Sequence, residues 1–79
     1  MRAKDFVDET DLASLARKFR TAAGKNRAEA ARELGVARQS VIYAEDRPET
    51  SFTKLRCRII EVYSPFKIRG PVFLLERRK

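Results

Sequence analysis

Arg38 and Gln39 stand side by side near the start of a short predicted helix, residues 37–45. An Arg guanidinium can bond to O6 and N7 of guanine, and a Gln amide can bond bidentately to adenine. Val41 and Ala44 repeat at helical spacing and are expected to point inward, which leaves Arg38 and Gln39 outward. These residue types in this arrangement indicate contacts with base edges in a DNA groove.

Three other residues of the same helix are candidates for contact with DNA. Tyr43 lies one helical turn after Gln39, so its ring or hydroxyl can meet a thymine methyl group or a phosphate. Ile42 lies near that edge and can either contact a thymine methyl group or pack at the rim of the core. Ser40 is a candidate for contact with the DNA backbone, which sets register rather than sequence preference.

A second short helix must precede this one. Asn26 can cap it, and Glu29, three residues later, can close a capping box. Gly35 ends it, as glycine commonly does where a helix finishes in a left-handed conformation. Val36 is expected to enter the core at the bend. Residues 26–45 are therefore predicted to form two helices joined by a tight turn.

The inward face of this first motif helix carries Ala30, Ala31 and Leu34. Small side chains allow a second helix to cross closely, as two helices at roughly 90–120° require.

This pattern resembles the helix-turn-helix of the Cro/phage-repressor (Xre-type) family. The family has a small residue in the first helix, Gly at the turn, an aliphatic residue after it and another in the second helix. The resemblance covers about residues 15–63, although the usual capping Ser or Thr of the second helix is replaced by Ala37. The matching residues are Ala31, Gly35, Val36 and Val41.

The resemblance also implies roles for residues outside the second helix. Arg20 and Glu45 occupy the positions of a structural Arg–Glu pair in the family. Asn26 and Arg27 occupy positions that meet the DNA backbone. Arg47 lies in a loop that runs along the backbone in the family, although a solvated turn charge is an equally good interpretation of this residue.

Composition favours a nucleic-acid partner. The 79 residues form one predicted domain with 18 Lys+Arg, 11 Asp+Glu and a formal charge of +7. Such an excess on a small domain favours a polyanionic partner. With one Cys and no His, we expect no metal site and no intrachain disulfide. No apolar run is long enough to span a membrane and no signal peptide is evident, so a cytoplasmic protein is expected.

The sequence does not indicate an enzyme. Histidine, the commonest general base, is absent. Glu29 and Glu33 lie on an ordinary exposed helix face, and the isolated glycines form no phosphate-binding loop. No cofactor is expected.

Two further helices are predicted to complete the core. One covers residues 11–23, after a cap at Asp8 or Thr10, and the other covers residues 52–63. Ile60 lies off the second stripe and is expected to be covered by the C-terminal segment or by a second subunit. The expected core stripes are Leu12, Leu15, Ala16, Phe19 and Ala23 in the first helix, and Phe52, Leu55, Ile59 and Val62 in the second.

Residues 65–79 are expected to form one or two short strands, with a fifth helix as the alternative. The apolar run Val72, Phe73, Leu74 and Leu75 is the predicted dimerisation segment, because exposed apolar strands pair with other chains. Residues 1–7 are expected either to be disordered or to form a strand that pairs with the other end of the chain.

These observations predict a mainly α fold with four to five helices, a helix-turn-helix and one or two C-terminal strands. The expected function is sequence-specific binding of double-stranded DNA by a homodimeric regulator, a repressor by family analogy, on a palindromic operator. Two alternatives stay open. One is an antitoxin-type module that binds another protein, and the other is a non-specific nucleic-acid binder that acts by charge alone.

Overall fold

The computed structural model describes residues 4–69 and 73–77. The fold is mainly helical, with four helices and three short strands in the described residues. The elements in chain order are β1 (Lys4–Val7), α1 (Glu9–Ala22), α2 (Arg27–Leu34), α3 (Arg38–Asp46), α4 (Thr53–Tyr63), β2 (Phe66–Arg69) and β3 (Phe73–Arg77).

Helix α1 begins at a capping box. The Asp8 carboxylate accepts a 2.8 Å hydrogen bond from the Asp11 amide, and the Asp8 amide donates to the Asp11 carboxylate at 3.2 Å. Leu12 and Ala16 are fully buried in the core, as predicted. Ala23, which was expected to lie in the core stripe, is instead the exposed C-cap residue, because α1 ends at Ala22.

Helices α2 and α3 are joined by a tight turn, and the local signals predicted it. Asn26 and Glu29 form the reciprocal capping box at the start of α2. Gly35 follows α2 with a left-handed backbone (φ 69°), and the Val36 amide donates to the Ala31 carbonyl at 3.0 Å. Ala37 precedes α3 without a side-chain cap. The buried residues of the pair are Ala30, Ala31 and Leu34 in α2, and Val41, Ala44 and Glu45 in α3.

The residues that α4 buries in the core differ from those predicted. Leu55 and Ile59 are buried as expected, but Val62 is 54% exposed and Ile60 is fully buried. Helix α4 contacts β2 as well as α1, and Ile60 lies in the buried cluster that these elements share. Phe66 of β2 belongs to the same buried cluster.

Tyr63, at the end of α4, reaches back to α2. Its hydroxyl donates a hydrogen bond to the Glu33 carboxylate, which also pairs with Lys25 Nζ at 2.8 Å. Partial burial and this hydrogen bond raise the pKa of Tyr63 to about 12 from its ordinary value of 10.0. Because the pKa is raised in the folded state, the associated stability is present below pH 10 and is lost as the pH rises toward 12.

We expect Glu33→Gln to lower the pKa of Tyr63, since the amide carries no negative charge to disfavour the phenolate. The pKa should stay above the ordinary value because burial remains. Ultraviolet absorbance of the phenolate measures it, in a Tyr43→Phe background so that one tyrosine titrates. Glu49→Gln, at another exposed carboxylate, is the control and should change nothing. An unchanged titration in Glu33→Gln would contradict the contact.

The three strands form one antiparallel sheet in the order β1-β3-β2. Lys4 lies opposite Glu76 in the β1–β3 pair, and Ile68 lies opposite Leu75 in the β2–β3 pair. The two predicted C-terminal strands are therefore present. Residues 4–7 form a strand, which was one of the two alternatives predicted for the N-terminal segment.

The described part of the predicted dimerisation segment lies in the central strand of the sheet and not at an exposed edge. Phe73, Leu74 and Leu75 form the first part of β3, and Val72 lies outside the described residues. Since β3 is the central strand, both of its edges already carry a strand. Its backbone therefore has no free edge on which the strand of a second subunit could be added.

Candidate nucleic-acid interface

The first turn of α3 presents Arg38 and Gln39 to solvent. Val41 and Ala44 fix this orientation, because both are fully buried on the opposite face of α3. Ile42, half-buried, lies between the two faces. The residues predicted to read bases thus divide into an exposed pair at the start of the helix and more enclosed residues further along.

Tyr43 and Arg47 contact each other. The Tyr43 ring packs against Phe52, with ring centroids 6.3 Å apart, and the Arg47 guanidinium lies 4.6 Å from the centroid of the Tyr43 ring. Such a stack is worth about 0.5–1 kcal/mol at an exposed site. The base candidate Tyr43 and the phosphate candidate Arg47 therefore form one stacked unit at the end of α3.

Arg27 points toward the C-terminal end of α3. Its Nε donates to Glu45 Oε1 at 3.2 Å, and its Nη2 donates to Asp46 Oδ1 at 2.8 Å. Asn26 Oδ1 accepts from the Glu29 amide at 2.8 Å. Both backbone candidates at the start of α2 thus have internal partners. The capping bond of Asn26 was predicted, and the contacts of Arg27 were not.

Glu45 is the centre of a buried polar network. Its carboxylate accepts from Arg20 Nε at 2.5 Å and from Arg20 Nη2 at 2.8 Å, in the bidentate arrangement that favours Arg over Lys. Arg20 Nη1 also donates to the Lys25 carbonyl at 2.7 Å. The bond to Glu45 raises the pKa of Arg20 against the opposing effect of burial. Together with Arg27, this network ties the ends of α1 and α3 to the start of α2.

Arg56 is a fully buried residue that the sequence interpretation missed. Its Nε donates to the Ala44 carbonyl at 2.7 Å, and its Nη2 donates to the Arg47 carbonyl at 2.7 Å. Its Nη1 and Nη2 reach the Thr50 carbonyl and hydroxyl, each at 3.1 Å. Arg56 thereby holds the end of α3 and the loop that carries Arg47. Its position between Leu55 and Ile59 in the core stripe was the available signal.

Ser40 lies in an open groove between the start of α3 and the start of α4. Lys54 and Arg58 line the same groove, and both are exposed. Arg58 Nη2 is anchored to the Leu34 carbonyl at 2.9 Å. These two cations were also missed, although their i, i+4 spacing in α4 places them on one helical face.

Arg38 and Gln39 are exposed in the first turn of α3, and Ser40, the next residue, lines a groove that Lys54 and Arg58 also line. Arg47, another exposed cation, follows the last residue of α3. Two side chains whose hydrogen-bonding patterns match base edges therefore lie at the start of a helix that has cations near both of its ends.

Within residues 4–69 and 73–77, no set of three or more His, Cys, Asp or Glu side chains is grouped so that it could bind a metal ion. In the same part of the chain, none of the helices combines the length and the apolar character needed to cross a membrane. Comparisons with protein-family models, with curated proteins and with solved structures found no match to this chain.

Proposed function

We propose that the chain is a sequence-specific DNA-binding protein, a small dimeric regulator whose α2–turn–α3 unit acts as a helix-turn-helix. The observation that carries the proposal is the exposure of Arg38 and Gln39 in the first turn of a helix held by buried contacts. The major groove, about 12 Å wide, admits one α-helix, and such a helix contacts bases with its N-terminal residues.

In this proposal, Gln39 pairs with adenine and Arg38 pairs with guanine or grips a phosphate. Ile42 and Tyr43 are further candidates for contact with thymine methyl groups. Since the Tyr43 ring is held between Phe52 and the Arg47 guanidinium, it meets the DNA as part of that stack.

Phosphate contacts come from the surrounding elements. Ser40 lies in the first turn of α3, Arg47 follows the last residue of α3, and Asn26 caps the start of α2. Arg27 joins them if a phosphate takes the place of the exposed Asp46 carboxylate on its Nη2. Each of these contacts adds affinity and salt dependence without sequence information.

A dimer fits the spacing of two half-sites. The molecule has principal extents of 30 × 26 × 17 Å. Half-sites on one face of the duplex lie about 34–36 Å apart, which exceeds the longest of these extents, so two copies can occupy them side by side. Occupation of such a palindromic site is enough to exclude other proteins from it, which supports repression as the regulatory outcome.

The experiment is selection of bound sequences from a random duplex pool, with wild type beside Gln39→Ala. Wild type should recover a palindrome. Gln39→Ala should lose discrimination at one base pair in each half-site, by about 1–3 kcal/mol, while retaining binding through phosphates. Ser14→Ala is the matched control, since it also removes a neutral polar side chain from an exposed helix position.

Two outcomes would contradict the proposal. Binding without any enriched sequence, steeply weakened by salt, would favour the non-specific binder that the charge of +7 alone supports. Failure to bind any duplex would favour the protein-interaction module. An unchanged consensus in Gln39→Ala would remove Gln39 from the recognition surface while leaving DNA binding in place.

A further inference from the structure

Arg27 and Asp46 form an ion pair between the start of α2 and the end of α3. Arg27 is the first residue of α2, and Asp46 is the last residue of α3. Arg27 Nη2 donates to Asp46 Oδ1 at 2.8 Å. Both side chains reach solvent, with 24% of the Arg27 side chain and 39% of the Asp46 side chain exposed. An anion from solution can therefore reach the pair.

Each member of the pair stands at the end of its helix that disfavours its charge. The N-terminus of a helix carries a partial positive charge, which opposes the Arg27 guanidinium. The C-terminus carries a partial negative charge, which opposes the Asp46 carboxylate. Exposed ion pairs contribute little to folding stability. The stability of the two helices therefore does not account for the placement of these two charges.

Glu45 holds the Arg27 guanidinium independently of Asp46. Arg27 Nε donates to Glu45 Oε1 at 3.2 Å, and the Glu45 side chain is fully buried. Arg20 donates two further hydrogen bonds to the same carboxylate, so this carboxylate is itself fixed. When the Asp46 carboxylate moves away, Arg27 stays bonded through Nε. Its Nη2 is then pre-organised to bond to another anionic oxygen in the same place.

We propose that Asp46 competes with a DNA phosphate for Arg27 and thereby lowers the affinity of the chain for DNA. Carboxylate and phosphate oxygens accept the same charge-assisted hydrogen bonds from a guanidinium, so one replaces the other on Nη2. This inference rests on the proposed function and adds to it the residue that limits one backbone contact. Since phosphate contacts carry no sequence information, Asp46 lowers the affinity for all duplexes alike.

Asp46→Asn removes the competing charge and keeps the size of the side chain. At one fixed salt concentration, it should bind a duplex of random sequence about two- to fivefold more tightly than wild type, the range by which an exposed ion pair favours its closed form. Fluorescence anisotropy of a labelled duplex measures the affinity. An affinity equal to or below that of wild type would overturn the proposal.

Glu49→Gln is the matched control for the change in net charge. It also removes one exposed carboxylate, from the loop that follows α3. Because it leaves the Arg27–Asp46 pair in place, its gain in affinity should be smaller than that of Asp46→Asn. Equal gains in the two variants would show that only the net charge matters, and the proposed competition would be wrong.

NMR of the Arg27 guanidinium nitrogens reports the exchange of partners directly, with the Arg27 signals identified by their loss in Arg27→Lys. The free wild type and free Asp46→Asn should differ in these signals, because only the wild type bonds Nη2 to a carboxylate. In the two DNA complexes the difference should disappear, since a phosphate is the partner in both. A difference as large in the complexes as in the free proteins would show that Asp46 keeps its bond to Arg27, and would overturn the proposal.

The same titrations separate this inference from the proposed function. Wild type that binds no duplex would overturn both. Wild type and Asp46→Asn that bind the duplex with equal affinity would overturn the competition at Arg27 and leave DNA binding in place.

Discussion

Replacing Glu45 with Ala is expected to destabilise the fold by about 3–5 kcal/mol, because it leaves the Arg20 guanidinium buried without its carboxylate. The Glu45 side chain is fully buried and that of Arg20 is 7% exposed. The two bonds between them, at 2.5 and 2.8 Å, are lost together. Urea unfolding followed by circular dichroism measures the change.

A double-mutant cycle separates the interaction energy of the Arg20–Glu45 ion pair from the cost of leaving one buried partner without the other. Arg20→Met combined with Glu45→Met should be more stable than either single variant, since a buried ion pair can be replaced by apolar side chains at little net cost. Glu33→Ala removes an exposed carboxylate and should cost far less. A Glu45→Ala variant as stable as Glu33→Ala would show that the network does not hold α1 to α3.

Arg56→Met is expected to destabilise the fold by about 3 kcal/mol or more. The substitution keeps an apolar stem in the core but removes the donors to the carbonyls of Ala44, Arg47 and Thr50. The Arg47 and Thr50 carbonyls also accept from the Thr50 and Phe52 amides, but the Ala44 carbonyl lies four residues before Pro48, which has no amide to donate. Leaving that buried carbonyl without a donor costs about 1–3 kcal/mol, and the loss of the other bonds adds to it. For a domain of this size, a loss of about 3 kcal/mol should lower the melting temperature by about 12–24 °C.

Arg58→Met is the matched control for Arg56→Met. Arg58 lies two residues later in α4, is exposed, and makes one described hydrogen bond, to the Leu34 carbonyl. Its loss should cost about 1 kcal/mol or less. Arg56→Lys should fall between the two, because an ammonium group cannot reproduce the fork of donors. Similar melting temperatures for Arg56→Met and Arg58→Met would contradict the role assigned to Arg56.

These two substitutions and Gln39→Ala should be separable by experiment. Glu45 and Arg56 hold α3 and its following loop in place, so their loss lowers stability and weakens any function of α3 with it. Gln39 is exposed and makes no buried contact, so Gln39→Ala should change sequence preference without changing the melting temperature.

Local signals in the sequence predicted the α2–turn–α3 unit well. Asn26 and Glu29 fix the start of α2 within four consecutive residues, and Gly35 fixes its end through a backbone conformation that few other residues adopt. Such signals depend on neighbours in the chain, which are visible in the sequence. The inward positions of Val41 and Ala44 follow from the same short-range periodicity.

The face of α4 could not be predicted in the same way. Periodicity placed Val62 in the core, but Ile60 is the residue that is buried in the cluster to which Phe66 of β2 also belongs. Arg56 was missed because charged residues are rarely fully buried. Its burial depends on carbonyl acceptors from α3 and the following loop, which come together only in the folded chain.

The exposed part of the candidate site was predictable, and its internal contacts were not. Arg38 and Gln39 face solvent, as the helical pattern implied. The engagement of Arg27 with Asp46 depends on the crossing of α2 and α3, whereas Arg47 stacks on Tyr43 from four residues later at the end of the same helix. The same applies to the sheet, since nothing local marks β3 as its central strand.

The order of the strands has a consequence for synthesis of the protein. Lys4 pairs with Glu76, so the sheet joins residues from nearly opposite ends of the described chain. During translation, α1 to α4 emerge before β3 and can pack, whereas β1 and β2 have no strand between them until residues 73–77 are made. The nascent chain therefore exposes the unpaired edges of β1 and β2 until β3 has been made. Pairing between residues far apart in the sequence is slow, which prolongs this exposure. A chain that stopped after Arg69 would leave β1 and β2 without their shared partner and would be prone to aggregation through those edges.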